Sequence, residues 1–318
     1  MADDNRVYLI TGATGQQGGA VVDALIAQQS KSHTPFTILS VTRNPNSANA
    51  QALAAKSPLV KILKGDTSDP KPLFTSAREI TQKPVWGVFS VTNPNLKKGE
   101  ESGEEKQGKA LVDAAIEAGV KHFVQTSVDR GGDEKSWNDP TDVPHFISKH
   151  RTELYLREQA AKSSQGMSWT ILRPVAFMDN FTPGFGSGVF LAALNNRMHG
   201  KPLQFVATKD IGFFAAQALF RGDQDPTYKN QALGLAGDEL TVEGIVETFK
   251  KNSKNPIAPT FGFIGSALTW AVSEMGSMTK WFANEGYGAD IEKCRRLNPD
   301  MLDLAAWIKT QSKFDATL

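Results

Sequence analysis

Short apolar runs alternate along this chain with longer stretches in which apolar positions recur every three or four residues. The runs VYLIT (7–11), FTILSV (36–41), VKILK (60–64), VFSV (88–91), HFVQTS (122–127) and WTILR (169–173) read as strands. Between them, 18–28 and 106–118 carry helical periodicity. Near-continuous apolar strands flanked by Gly, Pro and polar residues, with helices between, predict a parallel sheet covered on both faces. Beyond residue 174 the alternation loosens. There 210–220, 241–251 and PDMLDLAAWIKT read as helices, and ALGLA (232–236) as a further strand. The expected organisation is an α/β sheet domain over 1–174 and a smaller C-terminal α/β lobe over 175–318. That lobe is expected to interleave with the sheet and to form the substrate or partner side of a cleft.

Two polar stretches, 93–108 and 129–142, each follow a strand and read as loops of mostly solvated charge. Ligands of open parallel sheets bind beyond the carboxyl ends of the strands, so both loops are expected to border the site. The longest apolar stretch, 261–278, contains Glu274 and is too short to span a bilayer; it reads as an amphipathic or buried helix.

Bulk composition narrows the classes of function. The 318 residues are 40% hydrophobic and 22% charged with a formal net charge of +1, so no global field favours nucleic acid or a membrane surface. The single Cys294 rules out an intrachain disulfide and fits a reducing compartment; it reads as packing, with a redox switch as the minor reading. The polar N-terminus runs straight into a strand and reads as lacking a signal peptide; the expected compartment is the cytoplasm, with the nucleus as the alternative. The five His are scattered, and no spacing suits a metal.

The strongest chemical signal is ITGATGQQGG. It sets Gly12, Gly15 and Gly18 between the first strand and the first helix. Such a turn lets a pyrophosphate approach the backbone and meet the N–H groups that open the helix. Gly12, Thr14, Gly15, Gln16, Gln17 and Gly18 are therefore the expected cofactor cradle. The second strand ends in TRNP, with Arg43 where an NAD-binding chain usually carries a carboxylate. A guanidinium matches a 2′-phosphate in charge and fork geometry, so NADP(H) is favoured over NAD(H). Asp66 and Thr67 follow the third strand, where an adenine amino group finds acceptors. Thr92 and Asn93 follow the fourth, near the path of the cofactor's other half.

In DVPHFISKHR, Pro144 suits a first helical turn, and His145 and Lys149 stand one turn apart on one helix face. A Lys placed thus after a phenol is a common acid arrangement in nicotinamide enzymes. Here the ring is an imidazole. His145 has a suitable ordinary pKa but a shorter reach, and proton transfer needs hydrogen-bond distance. A structural role at the helix start is its other reading.

TGATGQQG, VTRNP, the GD after the third strand, QGKALVDAAIEAGVKHFVQTS, HFISK and LRPVAFMDN together resemble the NmrA-like branch of the atypical short-chain dehydrogenase/reductases, and RLNPDMLDLAAWI resembles that group's tail. The resemblance implies a Rossmann-type doubly wound parallel sheet, strand order 3-2-1-4-5-6-7, with a small C-terminal lobe. It also implies that Lys149 holds the nicotinamide ribose and that Pro174, Phe177 and Asn180 line the nicotinamide end. Phe181, Phe185 and Phe190 either extend that end into a substrate pocket or are core. The resemblance puts His145 at the usual Tyr position and Val128 at the usual Ser position, with Thr126 and Ser127 just before it.

Two functions follow as expectations. One is an NADP(H)-sensing regulator whose stretches 93–108 and 129–142 respond to the dinucleotide and present a surface to a regulatory protein partner. The other is an NADPH-dependent reductase of a small carbonyl, quinone or enone, with Lys149, His145 or a water as proton source. Either is expected as a monomer or homodimer, without direct contact to nucleic acid or membrane.

Overall fold

The computed structural model describes residues 5–29, 35–92, 103–260 and 273–316. In chain order it runs β1 (Arg6–Ile10), α1 (Gln16–Gln29), β2 (Phe36–Thr42), α2 (Ala48–Ala55), β3 (Val60–Lys64), α3 (Lys71–Thr81) and β4 (Gly87–Ser90). Then follow α4 (Gly103–Glu117), β5 (His122–Thr126), α5 (Asp133–Asn138), α6 (Pro144–Lys162) and β6 (Ser168–Pro174). The remainder holds β7 (Ala176–Phe177), α7 (Phe185–Met198), β8 (Leu203–Val206), α8 (Thr208–Arg221), β9 (Gln231–Leu235), β10 (Asp238–Leu240) and α9 (Val242–Asn252), with further helices at Ser273–Asn284, Ile291–Leu297 and Leu304–Thr310.

Two compact units emerge. The first comprises Met1–Ser127, Ser148–Arg173 and Ile211–Leu233; the second comprises Val128–Ile147, Pro174–Asp210 and Gly234–Leu318. The chain crosses between them several times.

The first unit carries a seven-strand sheet in the order β3-β2-β1-β4-β5-β6-β9, the order implied by the resemblance. Every register from β3 through β6 is parallel. ALGLA, read as a strand over 232–236, coincides within one residue with β9, the seventh strand of this sheet. Strands β4, β5 and β6 are buried at every position, as expected of parallel strands covered by helices on both faces. Tyr8 on β1 stacks against Phe36, Trp86 and Phe220, with ring centroids 5.5–5.9 Å apart.

Helix boundaries follow local chemistry. Ser47 caps α2 by accepting the Ala50 N–H. α3 has a Pro in its first turn and stops where Gln82 turns left-handed at φ 58°. α6 opens on Pro144, as its sequence predicts.

The second unit has a three-strand sheet, β10-β8-β7, in which β8 runs antiparallel to β10 and parallel to β7. Its core gathers Phe181, Phe205, Phe249 and Phe314, linked ring to ring at 4.8–5.6 Å. Phe181 is therefore core and not pocket wall, with Phe190 packed against it, whereas Phe185 is 66% exposed.

Within the described residues both polar stretches depart from the loop reading; residues 93–102 of the first lie outside them. Residues 103–108 form the first turns of α4, and Glu104 is buried. In 129–142, Asp133–Asn138 is helical and Asp129 and Arg130 are each 1% exposed. The reason is local bonding: Asp129 Oδ1 accepts the N–H groups of Gly131, Gly132 and Gly288, and Arg130 donates to the Val128 carbonyl. A carboxylate that gathers three backbone donors belongs inside the fold.

His122 on β5 is a buried group whose titration tests this packing. Its ring nitrogens lie 2.8 Å from Ser168 Oγ and 2.9 Å from Thr170 Oγ1. Burial first, then the charges of Arg6 and Lys229, push its pKa down to about 3. The unfolded chain takes up that proton near pH 6.5 and the folded chain only near 3, so stability falls as pH drops through that window. Between pH 6.5 and 5 the loss should be roughly 2 kcal/mol, at about 1.4 kcal/mol per unit. Urea unfolding across this range should show that slope, and His122→Gln should lack it.

Candidate functional site

The turn from β1 into α1 is built by steric exclusion. Gly12 sits at φ +59°, and a Cβ there would lie 2.4 Å from Val91 Cγ1. A Cβ on Gly18 would lie 2.3 Å from the Gly12 carbonyl oxygen. Neither position tolerates a side chain, so the turn closes tightly and α1 packs onto it. The Gly15 N–H bonds the Gly12 carbonyl at 2.9 Å and fixes the turn's apex. Thr11 staples the neighbouring strand: its hydroxyl donates to the Phe89 carbonyl and accepts the Val91 N–H at 2.8 Å. Gly12, Thr14, Gly15 and Gln16 are exposed, and Gln17 is half-buried. The first turn of α1 carries no acidic residue, so its N–H groups face no competing carboxylate. An exposed glycine turn into an uncharged helix start fits a diphosphate.

Arg43 is exposed just past β2, and Asp66 and Thr67 follow β3 as expected. The Ser68 backbone N–H, 2.9 Å from Asp66 Oδ1, and the Ser68 hydroxyl hold the Asp66 carboxyl below its usual range, and the Arg43 charge adds to this. Arg43 and Asp66 thus share one corner of the sheet's carboxyl edge. The loop after β2 is wired through Asn44, whose carbonyl takes the Ser47 hydroxyl and whose side chain takes the Asn46 N–H.

At the end of β4 stands a group that the sequence reading missed. Glu104 Oε1 accepts the Thr92 hydroxyl at 2.9 Å and pairs with Lys149 Nζ at 3.0 Å. Lys149 is only 12% exposed in its side chain, so it is not an ordinary surface lysine. Helical periodicity held the signal, because Glu104, Gly108, Leu111, Val112 and Ala115 form one buried stripe of α4. Reading the charged run as loop concealed it. Asn93 lies outside the described residues.

After β5 no hydroxyl is left to orient a substrate. Thr126 donates to Gln17 Oε1 at 2.7 Å. Ser127 donates to Glu153, which is clamped by Arg173 at 2.8 Å; Glu153 and Arg173 are 0% and 1% exposed. Val128 is buried in the second unit's core.

The remaining expected residues belong to the second unit. His145 is half-buried, its ring edge-on to Phe146 with centroids 4.5 Å apart. Pro174 is buried and its carbonyl takes the Asp129 N–H. Phe177 is half-buried on β7, and Asn180 is exposed in the turn Met178–Asn180. Among the described residues no group of three His, Cys, Asp or Glu is placed to hold a metal ion, and no helix is long and apolar enough to cross a membrane.

Residues 4–308 match the model of the NmrA-like family. The NmrA-like family domain-containing oxidoreductase notA of Aspergillus sp. (strain MF297-2) is 37% identical over 132 residues, which is 40% of this chain and 35% of that protein. A (4-alkanoyl-5-oxo-2,5-dihydrofuran-3-yl)methyl phosphate reductase of Streptomyces griseus is 29% identical over 214 residues, 67% of this chain and 63% of that one. Across five curated relatives the chain spans between 35% and 54% of their length. Among solved structures, the NADPH-dependent quinone oxidoreductase QOR2 of Escherichia coli, complexed with NADPH, aligns with a TM-score of 0.66 at 20% identity over 95% of this chain and 98% of that one. NmrA, a negative transcriptional regulator, in complex with NADP aligns at 0.67 and 16% identity over 97% and 95%. At these identities the structural likeness is one of fold.

The cradle makes a direct prediction. Gly18→Ala sets a methyl against the Gly12 carbonyl and should cost about 1–3 kcal/mol in urea unfolding. Gly19→Ala, whose Cβ would lie 3.5 Å from the Ala13 carbonyl, should be nearly neutral by the same measurement.

Proposed function

This chain belongs to the NmrA-like family, and we propose that it binds NADP(H) in the β1–α1 cradle and acts as a redox-responsive regulator. The observation that carries the reading is the coexistence of an intact cradle with a spent hydroxyl pair. Gly12 and Gly18 keep the diphosphate turn open, while Thr126 and Ser127 give their protons to Gln17 and Glu153. Binding is therefore provided for, and the usual carbonyl-orienting donor is not. The description of NmrA as a negative transcriptional regulator bound to NADP supports the same reading.

Within the site, Arg43 offers its guanidinium fork to the 2′-phosphate, and Asp66, beside it, presents acceptor oxygens to the adenine amino group. The helix start of α1 receives the diphosphate, and Lys149 gives N–H donors to ribose hydroxyls. A regulator of this kind works by differential affinity of two conformations for the cofactor.

A second reading, an NADPH-dependent reductase, is favoured by Lys149, retained and held in place by Glu104, and by the oxidoreductase descriptions of several relatives. Bound NADPH would supply the hydride, and the chain's part would be a proton from Lys149, His145 or a water to an easily reduced acceptor such as a quinone or enone. In either reading the expected compartment is the cytoplasm or nucleus, the expected assembly a monomer or homodimer, and the partner a regulatory protein or a small substrate.

Calorimetry separates these statements. NADPH and NADP⁺ should bind more tightly than NADH, and Arg43→Ala should weaken NADPH by roughly 10–100-fold, the range for a lost hydrogen bond to a charged group, with NADH unchanged. Absence of heat with both NADPH and NADP⁺ removes the binding assignment. Hydrogen exchange in 103–108 and 129–142 should slow with NADPH under the regulator reading. Unchanged exchange together with NADPH oxidation by a quinone or enone would replace the regulator with the reductase.

A further inference from the structure

Glu104 is a carboxylate that nothing in the packing of its helix requires. It is 2% exposed, in the first turn of α4. Its Oε1 serves both Thr92 Oγ1 and Lys149 Nζ, at 2.9 and 3.0 Å. Its Oε2 is buried and takes no hydrogen bond among the described residues. A half-satisfied buried carboxylate is costly, and an apolar residue of similar volume usually serves stability as well or better. The seam between α4 and the part of α6 from Ser148 onward closes without it. Glu105 meets Arg151 at 3.3 Å, Tyr155 bonds Asp113 at 2.7 Å, and Gly108 abuts Thr152 so closely that a Cβ would lie 2.7 Å from Thr152 Cγ2.

That close approach also explains how the carboxylate reaches its partner. Gly108 lies one turn after Glu104 on α4, and Thr152 lies one turn after Lys149 on α6. Contact of the two helices at Gly108 and Thr152 therefore brings Glu104 and Lys149 within ion-pair distance. Thr92, at the end of β4, fixes the same oxygen from the strand side. Three elements thus locate one ammonium group.

We infer that Glu104 is the positioning residue for Lys149: its buried carboxylate fixes the ammonium at the carboxyl end of β4, with the remaining N–H donors free for a cofactor ribose. The inference rests on the NADP(H)-binding reading above. It predicts that Glu104 acts on the cofactor only through Lys149. A merely structural Glu104 would change the melting temperature without this dependence.

The test is a double-mutant cycle in NADPH affinity, read by fluorescence titration on the full chain, with melting temperatures recorded alongside. Glu104→Leu and Lys149→Met should each weaken NADPH by about 10-fold, and Glu104→Leu should add less than about 2-fold in the Lys149→Met background. Glu104→Gln, which keeps the acceptor oxygen, should stay within about 3-fold of wild type. Wild-type affinity in Glu104→Leu, or an equal loss with and without Lys149, overturns the inference even if the melting temperature falls. Should Glu104→Leu not fold, Thr92→Val replaces it in the cycle. Its expected loss of about 3-fold must then vanish in the Lys149→Met background, and persistence there overturns the inference. A wild-type chain that binds no NADPH removes the cofactor reading itself, an outcome distinct from a binding wild type with an indifferent Glu104 variant.

Discussion

The approach of α1 to the end of β1 is the constraint from which the first unit's site is built. Gly12 lies under Val91, and Gly18 lies against the Gly12 carbonyl. Because neither residue presents a Cβ, the helix start sits directly beyond the strand. Thr11, bonded to Phe89 and Val91, keeps β4 in register beside this turn. Dipole, backbone donors and strand ends therefore converge on one edge of the sheet, and every other polar group of the site is arranged around that edge.

Polar groups at that edge fall into two kinds. Some are consumed by the fold. Ser127, Glu153 and Arg173 are bonded to one another in the interior, and the hydroxyls of Ser127 and Thr126 donate to Glu153 and Gln17. Others are left with unspent capacity: Arg43 is exposed, and Lys149 is held by the carboxylate of Glu104. Buried charge explains the difference. Arg173 and Glu153 are both almost fully enclosed and must satisfy each other, since an uncompensated partner would cost about 3–5 kcal/mol. Lys149, by contrast, keeps 12% of its side chain exposed.

The sheet was legible in the sequence because parallel strands buried on both faces write themselves as unbroken apolar runs. VYLIT, FTILSV and VKILK fall within a residue or two of β1, β2 and β3. Strand ends were less legible. The runs through Val91 and Ser127 overshoot β4 and β5 by one residue, because a strand ends where its ladder of hydrogen bonds stops, which residue type alone does not mark. The glycine cradle was legible because steric necessity fixes residue type. Glu104 and Asp129 were not, because a charged residue in a polar run reads as solvated until its partners are known. In each case those partners, Lys149 for one and Gly288 for the other, are distant in sequence.

The replacement of a phenol by His145 has a different consequence once Glu104 is considered. A lysine that serves a neighbouring phenol must influence that group's proton. A lysine held by a buried carboxylate has its charge balanced from the helix side and acts chiefly through hydrogen bonds of fixed direction. The second arrangement suits recognition of a neutral ribose, where direction matters more than net charge. Retention of Lys149 without a tyrosine one turn before it is therefore consistent chemistry for a binding site. In the proposed reading, the cradle, Arg43 and the Glu104–Lys149 pair would meet the diphosphate, the 2′-phosphate and the ribose hydroxyls respectively, each by the type of group that matches its charge.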